Sequence, residues 1–236
     1  MTIPVPEVTL AEMVAYYRAR APEYDEWWQR QGRYDRGPEL NARWFAEIET
    51  VLAAFDAFAL SGDVLELAPG TGIWTQRLLA TARTITAVDA SPEMITINQA
   101  RVQSERVTYL LADLFTWQPD RQYDAIFFGF WLSHVPLERL DAFLGTVAKA
   151  LRKGGKLFFV DSLHSSSATA VNQPLAVPHE QLTRRILNDG RTFDIVKNFF
   201  EPTALAAHCH AAGLAVTVNT TANYFLYGWG YAHNDN

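Results

Sequence analysis

Residues 63–94 read DVLELAPGTGIWTQRLLATARTITAVDASPEM. Asp63–Leu67 is a short apolar run that ends in a glycine-rich turn, and Ile73–Thr81 reads as a helix entered through Thr71 and Gly72. Thr84–Val88 is a second strand closed by Asp89, after which Ser91-Pro92-Glu93 offers an N-cap and a first-turn proline for a helix to about Ser104. Strand, turn, helix and strand in this order define one unit of a parallel α/β fold.

Working outward, the unit repeats. Val107–Ala112 is expected as a third strand, Tyr123–Phe130 as a very apolar fourth, Leu137–Leu151 as a helix stopped by Lys153-Gly154-Gly155, and Lys156–Ser162 as a fifth strand. Near-continuous apolar strands imply a sheet covered on both faces, in which ligands bind beyond the carboxyl ends of the strands. Outside this core, Leu10–Leu60 is rich in aromatics and reads as a helical lid. Ser165–Phe200 reads as an insertion before a helix from about Pro202 to Ala212. Within the insertion, Leu182–Leu187 and Arg191–Phe199 flank Asn188-Asp189-Gly190, a strong hairpin signal.

The chain has 236 residues, 49% hydrophobic and 19% charged, which suits one α/β domain with an insertion and excludes disordered and fibrous classes. Its expected layout is a lid at 10–60, a cofactor-binding core at 63–162, a substrate-side insertion at 163–200, and a C-terminal helix and strands at 201–236. Lys and Arg number 20 against 26 Asp and Glu, a net charge of −6, which disfavours nucleic acid as a partner. No signal peptide, membrane span, disulfide framework or Cys-rich metal site is expected; Cys209 is the one cysteine, and the expected compartment is the cytoplasm. His208 and His210 lack a third ligand at useful spacing, so no metal is expected.

Glu66-Leu-Ala-Pro-Gly-Thr-Gly72 and Asp89 suit a nucleoside: glycines allow close backbone approach, and a carboxylate at the second strand accepts from ribose hydroxyls. Ile73, Trp74 and Thr75 after Gly72 break the dinucleotide spacing, and no Lys-Ser or Lys-Thr follows the turn for a Walker site. The whole pattern resembles the class I S-adenosylmethionine-dependent methyltransferases. Residues 66–72 are similar to their first motif, Asp89-Ala-Ser-Pro-Glu-Met94 to the ribose motif, Ala112-Asp113-Leu114 to the adenine motif, and Lys153-Gly-Gly-Lys-Leu157 to the turn before the fifth strand.

That resemblance implies a Rossmann-like, mostly parallel seven-stranded sheet and S-adenosyl-L-methionine as cofactor. It also implies cofactor contacts from Tyr17, Arg20, Tyr24, Glu66, Ala68, Gly70, Thr71, Gly72, Asp89, Ala90, Met94, Asp113, Leu114, Phe115 and Phe130. The family's usual first glycine is Ala68 here, which narrows the room around the methionine part.

The acceptor class follows from what is missing. Gly129-Phe-Trp-Leu-Ser-His-Val-Pro136 has neither the Pro-Pro-aromatic signature of DNA amino-methyltransferases nor a nucleophilic Cys, a paired-glutamate set or a metal carboxylate set, so a small-molecule acceptor is expected. His134 is the titratable group at that strand end and the candidate catalytic base. Arg184, Arg185, Arg191 and Lys197 concentrate positive charge on the hairpin. A three-residue turn puts Arg185, Arg191 and Lys197 on one face, whereas a two-residue turn puts Arg184 there. Residues 128–136, 159–162 and 184–197 resemble the phosphonate O-methyltransferases of dehydrophos biosynthesis and their relatives. This implies an anion clamp of Arg185 and Lys197, with Trp28, Tyr34, Trp131 and His134 about the acceptor. The expected activity is O-methylation of a small phosphonate or carboxylate; N- or C-methylation, a non-catalytic sensor and RNA methylation are the competing readings.

Overall fold

The computed structural model describes residues 4–177 and 180–233. Five strands alternate with helices as the apolar runs dictate: β1 (Gly62–Leu67), β2 (Ala82–Asp89), β3 (Val107–Leu111), β4 (Tyr123–Gly129) and β5 (Leu151–Ser162). Between and before them lie α1 (Glu7–Arg20), α2 (Tyr24–Gln29), α3 (Pro38–Phe58), α4 (Ile73–Leu78), α5 (Pro92–Val102) and α6 (Leu140–Ala150). The hairpin β6 (Leu182–Ile186) and β7 (Thr192–Val196), the helix α7 (Pro202–Ala211), and the strands β8 (Leu214–Thr220) and β9 (Phe225–Ala232) complete the order. The large sheet has seven strands in the order β3-β2-β1-β4-β5-β9-β8, with β9 antiparallel to both neighbours. The class I methyltransferase fold expected from the sequence is therefore present.

Side chains of the central strands alternate between two helical layers. In β4, Ile126 and Phe128 face α6 and α7, while Ala125 and Phe127 face α3 and α4; Leu157 and Phe159 versus Phe158 and Val160 do the same in β5. Phe128 stacks on Phe159 with an interplanar angle of 7°. Each such fully buried side chain contributes about 1.5–3 kcal/mol. Strand order reverses between β1 and β4, which opens a crevice at their carboxyl ends.

Three expectations need correction. Lys153-Gly154-Gly155 does not stop a helix: Leu151 already belongs to β5, and Gly154, at φ +67°, lies where the β4–β5 register shifts, so the glycines bend a strand. The residues at 137–139 form a 3-10 turn before α6 rather than its first turn. The lid is shorter than 10–60, because Trp44, Ile48, Val51 and Phe55 of α3 pack under the sheet as an ordinary layer helix. The roof is α1, α2 and the short turn ending at Tyr34, and α1 packs on the hairpin through Leu10, Met13, Tyr16, Ile195 and Val196.

The hairpin turn is the three-residue form: Leu187 and Arg191 bond across Asn188-Asp189-Gly190, and Arg185 lies opposite Phe193. Arg185, Arg191 and Lys197 thus share a face, but Arg191 bends back to Asp189 in solvent and Arg184 pairs with Asp194 on the other face.

Between β5 and β8, the chain of β9 is tightest at Gly230, where a Cβ would lie 1.9 Å from the Ala215 carbonyl oxygen. Gly230→Ala should destabilise the protein by about 2 kcal/mol or more through forced strand separation, read as a lowered midpoint in urea.

Candidate active site

Beyond β1, the turn that begins the site is strained: Ala68 takes φ +52° and Gly70 +55°, a left-handed region costly for the alanine. This conformation aims the Gly70 N–H at Asp89 Oδ2, 3.2 Å away, while Asp89 Oδ1 accepts from the Ser91 N–H at 2.8 Å. Burial pushes the Asp89 carboxyl up to about 6 despite these donors. Around Asp89 lies a cleft of about 670 Å3 lined by Tyr17, Tyr24, Ala68, Gly70, Ala90, Met94, Asp113, Leu114, Phe115, Phe130, Trp131 and His134. Ser91 caps α5, its hydroxyl accepting from the Met94 N–H, which fixes Met94 on the cleft wall.

Deeper at the same end, Glu66 is 1% exposed and neither carboxylate oxygen has a partner among the described residues. Burial pushes its carboxyl up to about 8, opposed by the neighbouring Thr75 hydroxyl, which itself accepts from Asn98. Glu66, Thr71, Trp27 and Trp28 line a small extension of the cleft. Thr71 donates to Asp25 Oδ1 at 2.6 Å, so the roof helix α2 is bonded directly to the glycine turn.

A second cavity, of about 690 Å3, lies under α1 and the hairpin. Arg20, Arg185 and Lys197 line it together with Tyr16, Tyr34 and His134, and no acidic residue is among its lining. Lys197, 8% exposed, donates to Ser133 Oγ at 2.8 Å and Ser162 Oγ at 3.0 Å and lies 3.5 Å from Asp161 Oδ1. Burial lowers its pKa, with Asp161 opposing.

Tyr17, Tyr24, Phe130 and His134 wall both cavities and form the seam between them. Phe130, immediately after β4, is held at φ +56°, a second strained non-glycine residue at the site. His134 Nδ1 is 2.6 Å from the Val196 carbonyl oxygen, which can only accept, so Nδ1 carries the proton and Nε2 accepts from the Tyr17 hydroxyl, also at 2.6 Å. Burial first, and then the charge of Lys197, holds the imidazole well below its ordinary pKa. His134 is a neutral ring with both nitrogens engaged, and so a weak base.

The structure gathers most of the expected residues but redistributes four. Arg20 belongs to the second cavity, not the cleft. Trp131 lines the cleft rather than the second cavity, with its indole N–H buried there and unpartnered among the described residues. Trp28 packs on Trp74 and Phe130 behind the seam. Gly72 lines neither cavity; a Cβ there would meet Asn98 at 2.7 Å, so that glycine serves the packing of α5 on the turn. Tyr16, Ser133, Ser162 and Asp161 complete the second cavity or its support. Their only sequence signal was position: one helical turn before Arg20 for Tyr16, and the ends of β4 and β5 for the others.

These residues match the pattern of known proteins. Residues 64–155 fit the model of a methyltransferase domain family. A solved DhpI–SAH complex superposes with a TM-score of 0.76 at 36% identity, covering 98% of this chain and all of the other. A DhpI–SAM–HEP complex gives 0.76 at 37%, covering 96% and 99%. An uncharacterized methyltransferase of Bacillus mycoides (strain KBAB4) is 25% identical over 185 residues, 75% of this chain and 85% of the relative. The chain belongs to the class I S-adenosylmethionine-dependent methyltransferases. Its methyl donor is S-adenosyl-L-methionine, and the orphaned Glu66 carboxyl, the Trp131 N–H and the Asp89 carboxylate are the polar groups this structure offers to such a ligand.

Glu66 gives a test of the cleft. Its folded pKa lies above the unfolded value, so stability is highest below the unfolded value of 4.5 and falls as pH rises toward about 8, by roughly 1.4 kcal/mol per unit at most. Glu66→Gln removes this loss: without ligand, its unfolding temperature should match the wild type near about pH 4.5 and exceed it near about pH 8.5, while S-adenosylhomocysteine binding weakens.

Proposed function

We propose that the chain transfers a methyl group to an oxygen of a small anionic acceptor, a phosphonate or a carboxylate. The observation that carries this reading is a small-molecule cavity with three cations and no acid in its lining, adjoining the donor cleft. Likeness to DhpI, solved as a complex with SAM and HEP, supports a small acceptor seated beside the donor.

S-adenosyl-L-methionine, when bound, supplies an electrophilic sulfonium methyl; the acceptor oxygen forms the new C–O bond as the S–CH3 bond breaks, leaving S-adenosylhomocysteine. The protein's share is alignment. Arg185 holds the acceptor's anionic oxygens toward the seam, with the charge of Lys197 behind it and Tyr34 at the rim. Tyr17 and His134, bonded to each other, shape the seam, and Phe130 keeps water from the path. An anion is already a nucleophile, so no proton need be removed. The engaged, neutral His134 suits that requirement and argues against a neutral alcohol or carbon acid, which needs a base. The net charge of −6 argues against RNA. No helix among the described residues can cross a membrane. A single buried cysteine is in keeping with a cytoplasmic setting.

Calorimetric titration with S-adenosylhomocysteine, then with small phosphonates, carboxylates and phenols, tests the class: anions should bind the product complex and phenols should not. Arg185→Ala should raise the acceptor KM by about tenfold or more, the loss of a charged hydrogen bond, with donor affinity unchanged. The kcat profile should lack an acid limb from His134 near its ordinary pKa. A limb there that disappears in His134→Asn would instead make the imidazole a base.

A further inference from the structure

Behind the glycine turn runs α5, and one face of it carries Met94, Asn98 and Arg101, spaced by four and three residues. Met94 lines the donor cleft, while Arg101 donates to the Thr71 hydroxyl at 3.1 Å and pairs with Asp25 of the roof. Asn98 stands between them at 0% exposure and lines neither the cleft, its extension nor the second cavity. A buried amide is costly unless it is bonded, and this one is bonded at three points. Its Nδ2 donates to the Gly70 carbonyl at 3.2 Å and to Thr75 Oγ1 at 2.9 Å, and its Oδ1 accepts from the Tyr109 hydroxyl at 2.7 Å. The Gly70 carbonyl can only accept, so the nitrogen must face it, and Tyr109 then serves the oxygen.

The bond to Gly70 matters because of the shape of the turn. Ala68, Gly70 and Gly72 take φ of +52°, +55° and +91°, a conformation that persists only where surrounding contacts over-determine it. The Gly70 N–H belongs to the peptide plane before its Cα, and the Gly70 carbonyl to the plane after it. Asp89 Oδ2 accepts from the N–H at 3.2 Å and Asn98 holds the carbonyl, so both torsions of a residue that is otherwise free are set by side chains from two elements. In a trans peptide the N–H points opposite to the carbonyl, so drawing the Gly70 carbonyl back to α5 turns the Thr71 N–H away from that helix. Thr75, the second anchor, lies in α4, and the Asn98 amide therefore spans the turn from its middle to the helix that follows it.

We propose that Asn98 is a positioning residue of the donor site: through the Gly70 carbonyl and Thr75 it holds the glycine turn in the shape that receives S-adenosyl-L-methionine, and Tyr109 steadies its amide from the far side. It acts through the turn, and its loss is felt as donor affinity because a turn that is no longer held must be ordered on binding. This rests on the cleft around Asp89 being the donor site.

Calorimetric titration with S-adenosylhomocysteine, made well below the unfolding temperature of each protein, tests this. Asn98→Asp keeps the size and one oxygen of the side chain but removes the nitrogen that faces the Gly70 carbonyl, and its Kd should rise about tenfold or more. Tyr109→Phe leaves Asn98 in place without the donor to its oxygen, and its Kd should rise about threefold. Gly230→Ala, which lowers stability from β9, should bind as the wild type does. Wild-type affinity in Asn98→Asp, or an equal loss in Gly230→Ala, overturns the proposal and makes Asn98 a packing residue. Should Asn98→Asp fail to fold, Tyr109→Phe decides: weakened binding supports the proposal and wild-type binding overturns it. Asp89→Asn separates the proposal from the reading beneath it. Lost affinity there beside wild-type affinity in Asn98→Asp overturns the proposal alone, whereas wild-type affinity in both overturns the donor-site assignment with it.

Discussion

One buried carboxylate joins the parts of this site that are distant in sequence. Asp161, at the end of β5 and 2% exposed, accepts the Ser133 N–H at 2.8 Å, the Ser162 N–H at 2.7 Å, and faces the Lys197 ammonium. The loop after β4, the end of β5 and the outgoing strand of the hairpin are thereby fixed to one another. Asn198 adds two bonds to the same loop, at the Ser133 and Val135 carbonyls. Removing one partner of such a buried pair leaves a charge without compensation, a loss of about 3–5 kcal/mol. Lys197 thus holds the hairpin over the sheet while contributing charge to the cavity.

Upon that base the roof is assembled from local matches. The apolar face of α1 meets Leu187, Ile195 and Val196, and its opposite side reaches α5 through Arg18 and Glu93, at 2.8 Å but exposed. Such exposed pairs contribute little. Burial of α1 on the hairpin and the Tyr17–His134 hydrogen bond set the roof's position, and the strained Phe130 backbone meets it from below. The seam between the two cavities is therefore built from both the roof and the sheet.

Much of this was legible in the chain. The strands of the core are continuous apolar runs because both faces are buried, and the glycine turn with Asp89 announces a nucleoside site by spacing alone. What escaped reading depended on tertiary context. Trp44 and Tyr34 are alike as aromatics in a helical stretch, yet one packs under the sheet and the other rims a cavity. Arg20, one turn from Tyr17 and Tyr24, carries no local mark of which cavity it enters. Lys153-Gly154-Gly155 looks like a helix stop, and only strand pairing reveals a bulge. Asp161 and Lys197 are 36 residues apart, and no periodicity links them.

The unbalanced charge of the second cavity bears on how a catalytic cycle on the proposed anionic acceptor would end. Capping an anionic oxygen with methyl deletes one unit of negative charge without moving any protein group. In the proposed reaction the guanidinium groups that line the cavity would then face a molecule less able to satisfy them. For an acceptor that enters with two charges, departure is favoured by the reaction itself, and an ester that carries one charge returns poorly for a second methyl. A fixed electrostatic environment can in this way give direction to turnover without a moving gate.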